Sequence, residues 1–292
     1  ALTAEQINNT PDNASFLWTF DDEDIVLNER AEGTDNTDTY TDGTKLTKVE
    51  EISSPDGKIN TYILCDKAAG RYFYSCTYNN DAVIHASLLG VKTETADFSK
   101  GLSLDNDSIR KGSGKDEYTL KAGKNLKVSD EYKDISFDLT NEKGKITIIL
   151  RVYNDGTAYR YTVSENGAGT GKIEEETGEF VLPDNTVFWA GEPSDTYEGT
   201  YSKKTTAGIT DSDMNMSTPL LASVKNNKYW VLMTEANVFN ERQPFCASIF
   251  ATESGKKNIK LTFGRKQTES VSVSYPFTTP WRVAVITDNI NG

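Results

Sequence analysis

Residues 145–163 read KITIILRVYNDGTAYRYTV, and this stretch decides the fold class. In its first half Ile146, Ile148, Leu150 and Val152 occupy every second position, so these apolar side chains share one face of a strand. Asp-Gly follows, a pair in which both residues tolerate a positive φ. A second apolar run, TAYRYTV, comes next. The pattern predicts an antiparallel β-hairpin.

Similar short runs, separated by turn residues, fill the chain from residue 58 onward. Examples are INTYILC, YFYSCTY, AVIHASLLGV, LLASVK, KYWVLM and SVSVSY, and the turn KNN joins LLASVK to KYWVLM. None of the chain shows the period of an amphipathic helix. About 18 to 20 short strands predict an all-β sandwich or barrel. The simplest architecture is a large antiparallel sandwich of about 240 residues behind an N-terminal extension.

Composition excludes several classes of partner. The net charge of −13 disfavours nucleic acids and anionic membrane surfaces, since both require clustered Lys and Arg. No apolar run approaches the roughly 20 residues of a membrane helix. Residues 1–52 are predicted to be an acidic, partly mobile extension, because EGTDNTDTYTDGT has little apolar content. Residues 53–292 are predicted to be the sandwich.

The three cysteines, Cys65, Cys76 and Cys246, do not form a disulfide framework. A turn centred on KAAG would pair Cys65 near Tyr72 rather than with Cys76. Free, mostly buried thiols are therefore expected, with a Cys65–Cys76 bridge as the alternative.

Common catalytic and metal motifs are incomplete. The one histidine, His85, lies in an apolar run and is expected to be structural. GSGKDE has Ile109 where a P-loop needs its first glycine. DSDMNM begins like a calcium loop but has Met216 where that loop needs glycine, so it is interpreted as a polar loop. No carboxylate pair stands out among the 44 acids, and no catalytic residue is assigned.

One acidic residue has an unusual setting. Residues 193–201 read PSDTYEGTY, so Glu198 lies between Tyr197 and Tyr201 in a stretch with no helical period. Two interpretations are open: a solvated loop carboxylate, or a carboxylate held out to bind a ligand.

An ordered set of motifs across residues 53–288 resembles the N-terminal domain of glycoside hydrolase family 97. SSPDGKI resembles its opening strand, LRVYNDGTAYRYTV its F-R-x-Y-D-D-G-V-A-F-R-Y hairpin, and DTYEGTYSKKT its Y-E-x-x-Y segment. TPLLASVKNNKYWVLMTEANV is similar to a further family segment, and FTTPWRVAVITD resembles the end of the domain. Each motif is weak alone, but their order and spacing agree with the family.

The resemblance implies a β-super-sandwich of the galactose-mutarotase-like kind. In full-length family members a (β/α)8 barrel follows this domain and carries the catalytic residues for α-glucosides or α-galactosides. The sequence ends where that barrel would begin. The chain alone is therefore predicted to be inactive.

The resemblance also implies site residues. In the family, a glutamate of the sandwich reaches the calcium of the active site, and Glu198 matches its position. Calcium is expected only when the barrel is present. Glu235, Tyr197 and Trp189 are candidates for contact with the barrel or with sugar. For Glu235 the alternative is a structural loop carboxylate, and for Trp189 it is the buried core.

The leading hypothesis is a non-catalytic domain of an extracellular or periplasmic bacterial glycoside hydrolase. Its partners would be a (β/α)8 barrel and carbohydrate. The alternative is a stand-alone carbohydrate-binding module, which an exposed row of aromatic side chains would favour. A third reading, an enzyme of mutarotase type, is disfavoured by the single histidine. Trp281 is also expected in the core, and Arg160 and Tyr161 are expected to serve packing and hydrogen bonding.

Overall fold

The structure is a computed structural model. It describes residues 38–122, 126–191, 199–205, 215–238, 248–251, 258–263 and 270–290, and all of them belong to one compact unit spanning residues 33–292. The predicted division of the chain at residue 52 stays a prediction.

The described residues form 21 β-strands and no helix, and thus no helix that could cross a membrane. In chain order the strands are β1 (Thr47–Ser53), β2 (Ile59–Asp66), β3 (Arg71–Tyr78), β4 (Asp81–Leu88), β5 (Val91–Thr93), β6 (Ser103–Thr119), β7 (Lys127–Asn141), β8 (Gly144–Tyr153), β9 (Gly156–Glu165), β10 (Thr170–Glu176), β11 (Glu179–Val181), β12 (Val187–Gly191), β13 (Tyr201–Thr205), β14 (Asn215–Met216), β15 (Leu220–Val224), β16 (Tyr229–Ala236), β17 (Ser248–Ala251), β18 (Asn258–Phe263), β19 (Val271–Ser274), β20 (Phe277–Thr278) and β21 (Trp281–Thr287).

The strands form three antiparallel sheets. The ten-stranded sheet has the order β13-β12-β15-β16-β21-β9-β8-β7-β6, with β20 also paired to β9. The eight-stranded sheet has the order β1-β2-β3-β4-β11-β18-β17-β14, and a three-stranded sheet has the order β19-β10-β5. One cluster of buried side chains draws on all three sheets. The predicted all-β antiparallel sandwich is confirmed.

Strict alternation builds the core side of the ten-stranded sheet. Along β8 every second residue is buried, and Ile146, Ile148, Leu150 and Val152 are at most 1% exposed. The neighbouring β9 contributes Tyr159, and an aromatic cluster forms between the sheets where its ring meets Tyr74 at 5.0 Å. Intervening residues are partly exposed and point to the opposite, outer face of the sheet.

The β8–β9 hairpin is confirmed, but its turn differs from the prediction. Tyr153 pairs with Gly156, so the two turn residues are Asn154 and Asp155. Gly156 already belongs to β9, and its φ lies outside the left-handed region. A Cβ on Gly156 would lie 2.4 Å from the carbonyl oxygen of Ala284. The glycine is therefore needed for the close approach of β21, not for the turn.

Other turns follow the expected chemistry. Asn79 and Asn80 join β3 to β4 with φ of 49° and 72°, as a two-residue hairpin loop of this kind requires. The KNN turn has positive φ at all three residues, 225–227. Cys65 pairs with Tyr72 as predicted. Cys65 and Cys76 are free and buried, which confirms the first expectation, and Cys246 lies outside the described residues.

The sequence analysis missed the longest strand, β6. Its 17 residues are mostly polar and exposed, so no apolar alternation marks them. It pairs with β7 from Ser103↔Thr140 to Thr119↔Lys127, whereas β8 pairs with β7 only as far as Tyr132. The tip of this hairpin is a two-stranded ribbon that extends past the sheet. Backbone pairing, not burial, determines β6.

Candidate functional site

The β12–β13 hairpin frames the segment that contains Glu198. Gly191, the last residue of β12, pairs with Tyr201, the first residue of β13, and its carbonyl oxygen accepts a hydrogen bond of 2.8 Å from the Ser217 amide. β13 is the edge strand, and Tyr201 is 48% exposed. Residues 192–198, including Tyr197 and Glu198, lie outside the described residues.

Glu235 lies at the same end of the ten-stranded sheet. Leu221 of β15 pairs with both Trp189 and Leu232, so β12 and β16 run in the same direction. Glu235 follows Leu232 by three residues along β16, towards the end at which β12 reaches Gly191. Antiparallel pairing thus brings Glu235 to the end of the sheet at which Gly191 pairs with Tyr201. The sequence analysis gave a loop carboxylate as the alternative for Glu235, whereas Glu235 is part of β16.

A buried ion triad holds Glu235. The Arg282 guanidinium donates to both oxygens of Glu176, from Nε at 2.8 Å and from Nη2 at 2.5 Å, and to Oε2 of Glu235 from Nη1 at 2.6 Å. The three side chains are 0%, 1% and 5% exposed, respectively. Burial by itself would lower the pKa of Arg282, but the charges of Glu176 and Glu235 outweigh it and the pKa is raised. A contact of Glu235 with a barrel or a sugar stays a prediction.

The tryptophans of the described chain lie on the outer face of the ten-stranded sheet. Trp189 and Trp230 are partly exposed, with ring centroids 5.4 Å apart and an interplanar angle of 30°. Trp281 is also partly exposed. The core placement expected for Trp189 and Trp281 is wrong. Alternation explains why, because their neighbours Phe188 and Arg282 occupy the inward positions.

Arg160 and Tyr161 are also neighbours that point to opposite faces of the sheet. The Tyr161 hydroxyl is buried and accepts a hydrogen bond of 3.1 Å from the Gly90 amide, and burial raises its pKa well above the usual value. Arg160 points outward and lies over the Trp281 ring. His85 lies in β4, opposite Val181.

Two features of this region escaped the sequence analysis. Glu176 ends β10, in a different sheet from Arg282, and no local pattern distinguishes it from its acidic neighbours Glu174 and Glu175. The outward position of Trp230 had no signal in the sequence either, because KYWVLM is a continuous apolar run after its lysine.

Comparisons with known proteins agree with this architecture. A family model described as "Glycosyl-hydrolase 97 N-terminal" matches residues 52–292. The chain belongs to this family.

The relatives of this family 97 N-terminal domain are longer proteins. It is 24% identical over 224 residues to a protein described as "Probable retaining alpha-galactosidase" from Streptomyces bingchenggensis (strain BCW-1). That match covers 76% of the chain and 33% of the relative, so the chain spans about a third of the curated relative's length.

Solved structures share the fold. A family 97 enzyme from Pseudoalteromonas sp. strain K8 in complex with panose matches with a TM-score of 0.70 and 19% identity, over 82% of this chain and 36% of the enzyme. A β-arabinopyranosidase matches with a TM-score of 0.73 and 23% identity, over 82% of this chain and 40% of that one.

The family 97 domain does not build a metal site from its described residues. Within those ranges no group of three or more His, Cys, Asp and Glu side chains is arranged to hold a metal ion. The carboxylate of Glu176 is already paired with Arg282, and Glu198 lies outside the described residues.

Proposed function

We propose that the chain is the non-catalytic N-terminal domain of an extracellular or periplasmic glycoside hydrolase acting on α-glucosides or α-galactosides. It docks on a (β/α)8 barrel and donates Glu198 to a calcium ion of the combined active site. Support comes from membership of the family, from relatives about three times as long, and from their names. One relative is described as a probable retaining α-galactosidase, and another was solved with panose bound.

The observation that carries the proposal is the pairing of Gly191 with Tyr201 at the edge of the ten-stranded sheet. Glu198 precedes Tyr201 by three residues, and a chain of three residues spans at most about 11 Å. Covalent geometry therefore tethers the Glu198 carboxylate to this end of the domain. In this position the carboxylate can supply one oxygen ligand to a metal site that a partner completes.

Calcium needs oxygen ligands from elsewhere. It takes about 6 to 8 oxygens, whereas the described residues offer no acidic cluster. The residues described here therefore do not fit a complete calcium site. In the proposal Glu198 supplies one ligand and the barrel supplies the others, so the domain by itself binds calcium weakly.

Calorimetric calcium titration tests the proposal on the 292-residue chain and on a form extended by a downstream (β/α)8 barrel. The extended form is expected to bind calcium, and Glu198→Gln is expected to weaken binding at least about tenfold, since even outer-shell partners change metal affinity by about 10–100-fold. Hydrolysis of p-nitrophenyl α-glucoside or α-galactoside should fall together with calcium affinity.

The matched control is Asp195→Asn, which removes another carboxylate from the same segment and should leave both readouts unchanged. The chain alone should hydrolyse neither substrate. Tight calcium binding by the chain alone, or an extended Glu198→Gln form that behaves like wild type, would show that Glu198 is an ordinary surface acid.

A second candidate function is carbohydrate binding by the domain alone, and the outer-face tryptophans favour it. Trp189 and Trp230 present partly exposed rings side by side on one sheet face. Aromatic rings provide apolar faces against which the C–H faces of a sugar can pack. These two partly exposed rings support a binding module, which a row of exposed aromatic side chains would favour over a docking surface.

Panose is the probe for this second function. Replacing Trp189 or Trp230 with Ala is expected to weaken panose binding by the chain about 2- to 10-fold, because one aromatic contact contributes about 0.5–1.5 kcal/mol. Tyr118→Ala removes an exposed aromatic side chain from the β6–β7 ribbon and serves as the control. If panose does not bind, or binds equally well to both tryptophan variants, the binding-module function is wrong.

A further inference from the structure

Two arginines share one tryptophan on the outer face of the ten-stranded sheet. The guanidinium carbon of Arg160 in β9 lies 4.3 Å from the Trp281 ring centroid, and that of Arg151 in β8 lies 5.0 Å from it. Both distances are within the range of cation–π attraction. The three side chains come from adjacent strands, in the order β21, β9 and β8. The sheet therefore fixes two cationic groups around one flat ring.

The two arginines differ in their partners. Arg151 lies 4.1 Å from the Tyr132 ring centroid, and its Nη1 donates to Asp116 Oδ2 at 3.4 Å and to the Tyr153 hydroxyl at 3.3 Å. Among the residues that the structure describes, none accepts a hydrogen bond from Arg160 or pairs with its charge. The Nε atoms of both arginines are buried without a hydrogen-bond partner from that part of the chain.

An unpaired, half-buried guanidinium is costly, because it loses water without gaining an acceptor. Burial, together with the charge of Arg151, lowers the pKa of Arg160. This positive spot lies in a chain whose net charge is −13, with many carboxylates available elsewhere. A buried polar group left unsatisfied in a native fold calls for an explanation, and a bound ion or water is one of those explanations.

The surroundings select the kind of anion. A guanidinium presents a planar fork of donors that matches a carboxylate, a phosphate or a sulfate. Asp116 is bonded to Arg151, and Asp134 lies opposite Arg151 in the neighbouring strand. These two carboxylates would repel a dianion. A singly charged carboxylate fits this balance better. Ile149 and Val283 are partly exposed on the same face and provide apolar surface for the body of a ligand.

We propose that Arg160 and Arg151 form a binding site for a carboxylate ligand, with a sugar acid as the favoured source. The proposal rests on the carbohydrate-binding function suggested above and adds a charge requirement to it. The carboxylate accepts hydrogen bonds from the fork of Arg160, while Arg151, held by Asp116, supplies the second positive charge. The Trp281 ring keeps the Arg160 fork in place.

The test is an NMR titration of the chain, following the arginine Nε–H and Trp281 indole N–H signals at constant ionic strength. The probes are sodium glucuronate, sodium acetate, sodium sulfate and glucose. Glucuronate is expected to shift both kinds of signal saturably and to bind at least about tenfold more tightly than glucose. Arg160→Gln should weaken glucuronate binding at least about tenfold, whereas the control Arg110→Gln, in exposed β6, should not change it.

The probes separate the possible sources of the carboxylate. Tighter binding of glucuronate than of acetate supports a sugar acid, and equal binding supports a free carboxylate at the same site. Sulfate binding more tightly than either, or no perturbation of the wild-type Arg160 signal, would overturn the carboxylate site. The wild-type signals are informative even if Arg160→Gln does not fold. Panose binding that depends on Trp189, without any glucuronate binding, would overturn this inference alone and leave the binding module intact.

Discussion

Replacing Arg282 with Met is expected to lower the free energy of unfolding by about 3–5 kcal/mol, one of the two largest effects expected for this chain. Arg282 is completely buried and pairs with Glu176 and Glu235, which are also buried. Methionine fills similar volume but removes the positive charge that Arg282 places beside two buried carboxylates. Desolvation of those charges, not loss of packing, causes the expected loss. Urea unfolding followed by tryptophan fluorescence measures it.

The control is Arg110→Met, because Arg110 is exposed and its guanidinium contacts only nearby backbone carbonyl groups among the described residues. A change within about 0.5 kcal/mol is expected there. The triple variant Arg282→Met, Glu176→Leu, Glu235→Leu removes all three charges and should recover much of the stability. If Arg282→Met is no more destabilising than Arg110→Met, the triad does not stabilise the contact between β10 and the ten-stranded sheet.

Replacing Phe180 with Ala is expected to lower the free energy of unfolding by about 3–5 kcal/mol. Phe180 is 1% exposed, and its ring lies between the two large sheets, 6.4 Å from the Tyr74 ring and 6.2 Å from the Tyr159 ring. The truncated side chain removes apolar contacts and leaves a cavity that the rigid strands cannot close. The same urea unfolding measurement reports the loss.

Tyr118→Ala is the matched control for an aromatic side chain outside the core, since Tyr118 is 54% exposed. It should change stability by no more than about 0.5 kcal/mol. Phe180→Leu keeps most of the volume and should cost less than Phe180→Ala. Equal effects of the alanine substitutions at residues 180 and 118 would show that the aromatic cluster contributes little to stability.

Strand alternation made most of the fold predictable, and its limits are physical. Where one face of a strand is buried, as in β8, the pattern identifies both the strand and its inward side. Where most side chains of a strand are polar and exposed, as in β6, they carry no such signal, although the strand pairs along its length with β7. The role of Gly156 was misassigned for a related reason. Its constraint comes from Ala284, 128 positions later in the chain, and not from its own turn.

The candidate site was predictable to a smaller extent. The motif around Glu198 identified a segment, and pairing of its flanking strands supplies the tether. The outward position of Trp189 and Trp281 was accessible from alternation, but the general tendency of tryptophan to be buried favoured the wrong placement. The sequence could not show that Arg160 has no charged partner among the described residues, because this depends on which carboxylates of distant segments come near it.

The sequence by itself determined the all-β class, the principal hairpins and the family, because these depend on local alternation and on ordered motifs. Only the tertiary structure decided that Glu176 neutralises Arg282, that Glu235 is buried with them, and that Arg160 and Arg151 meet at Trp281. These contacts join residues far apart in the chain, and their charges interact strongly only after the sheets have excluded water. Local sequence patterns describe which face of a strand is apolar, whereas electrostatic partners are set by how the strands are ordered in the sheets.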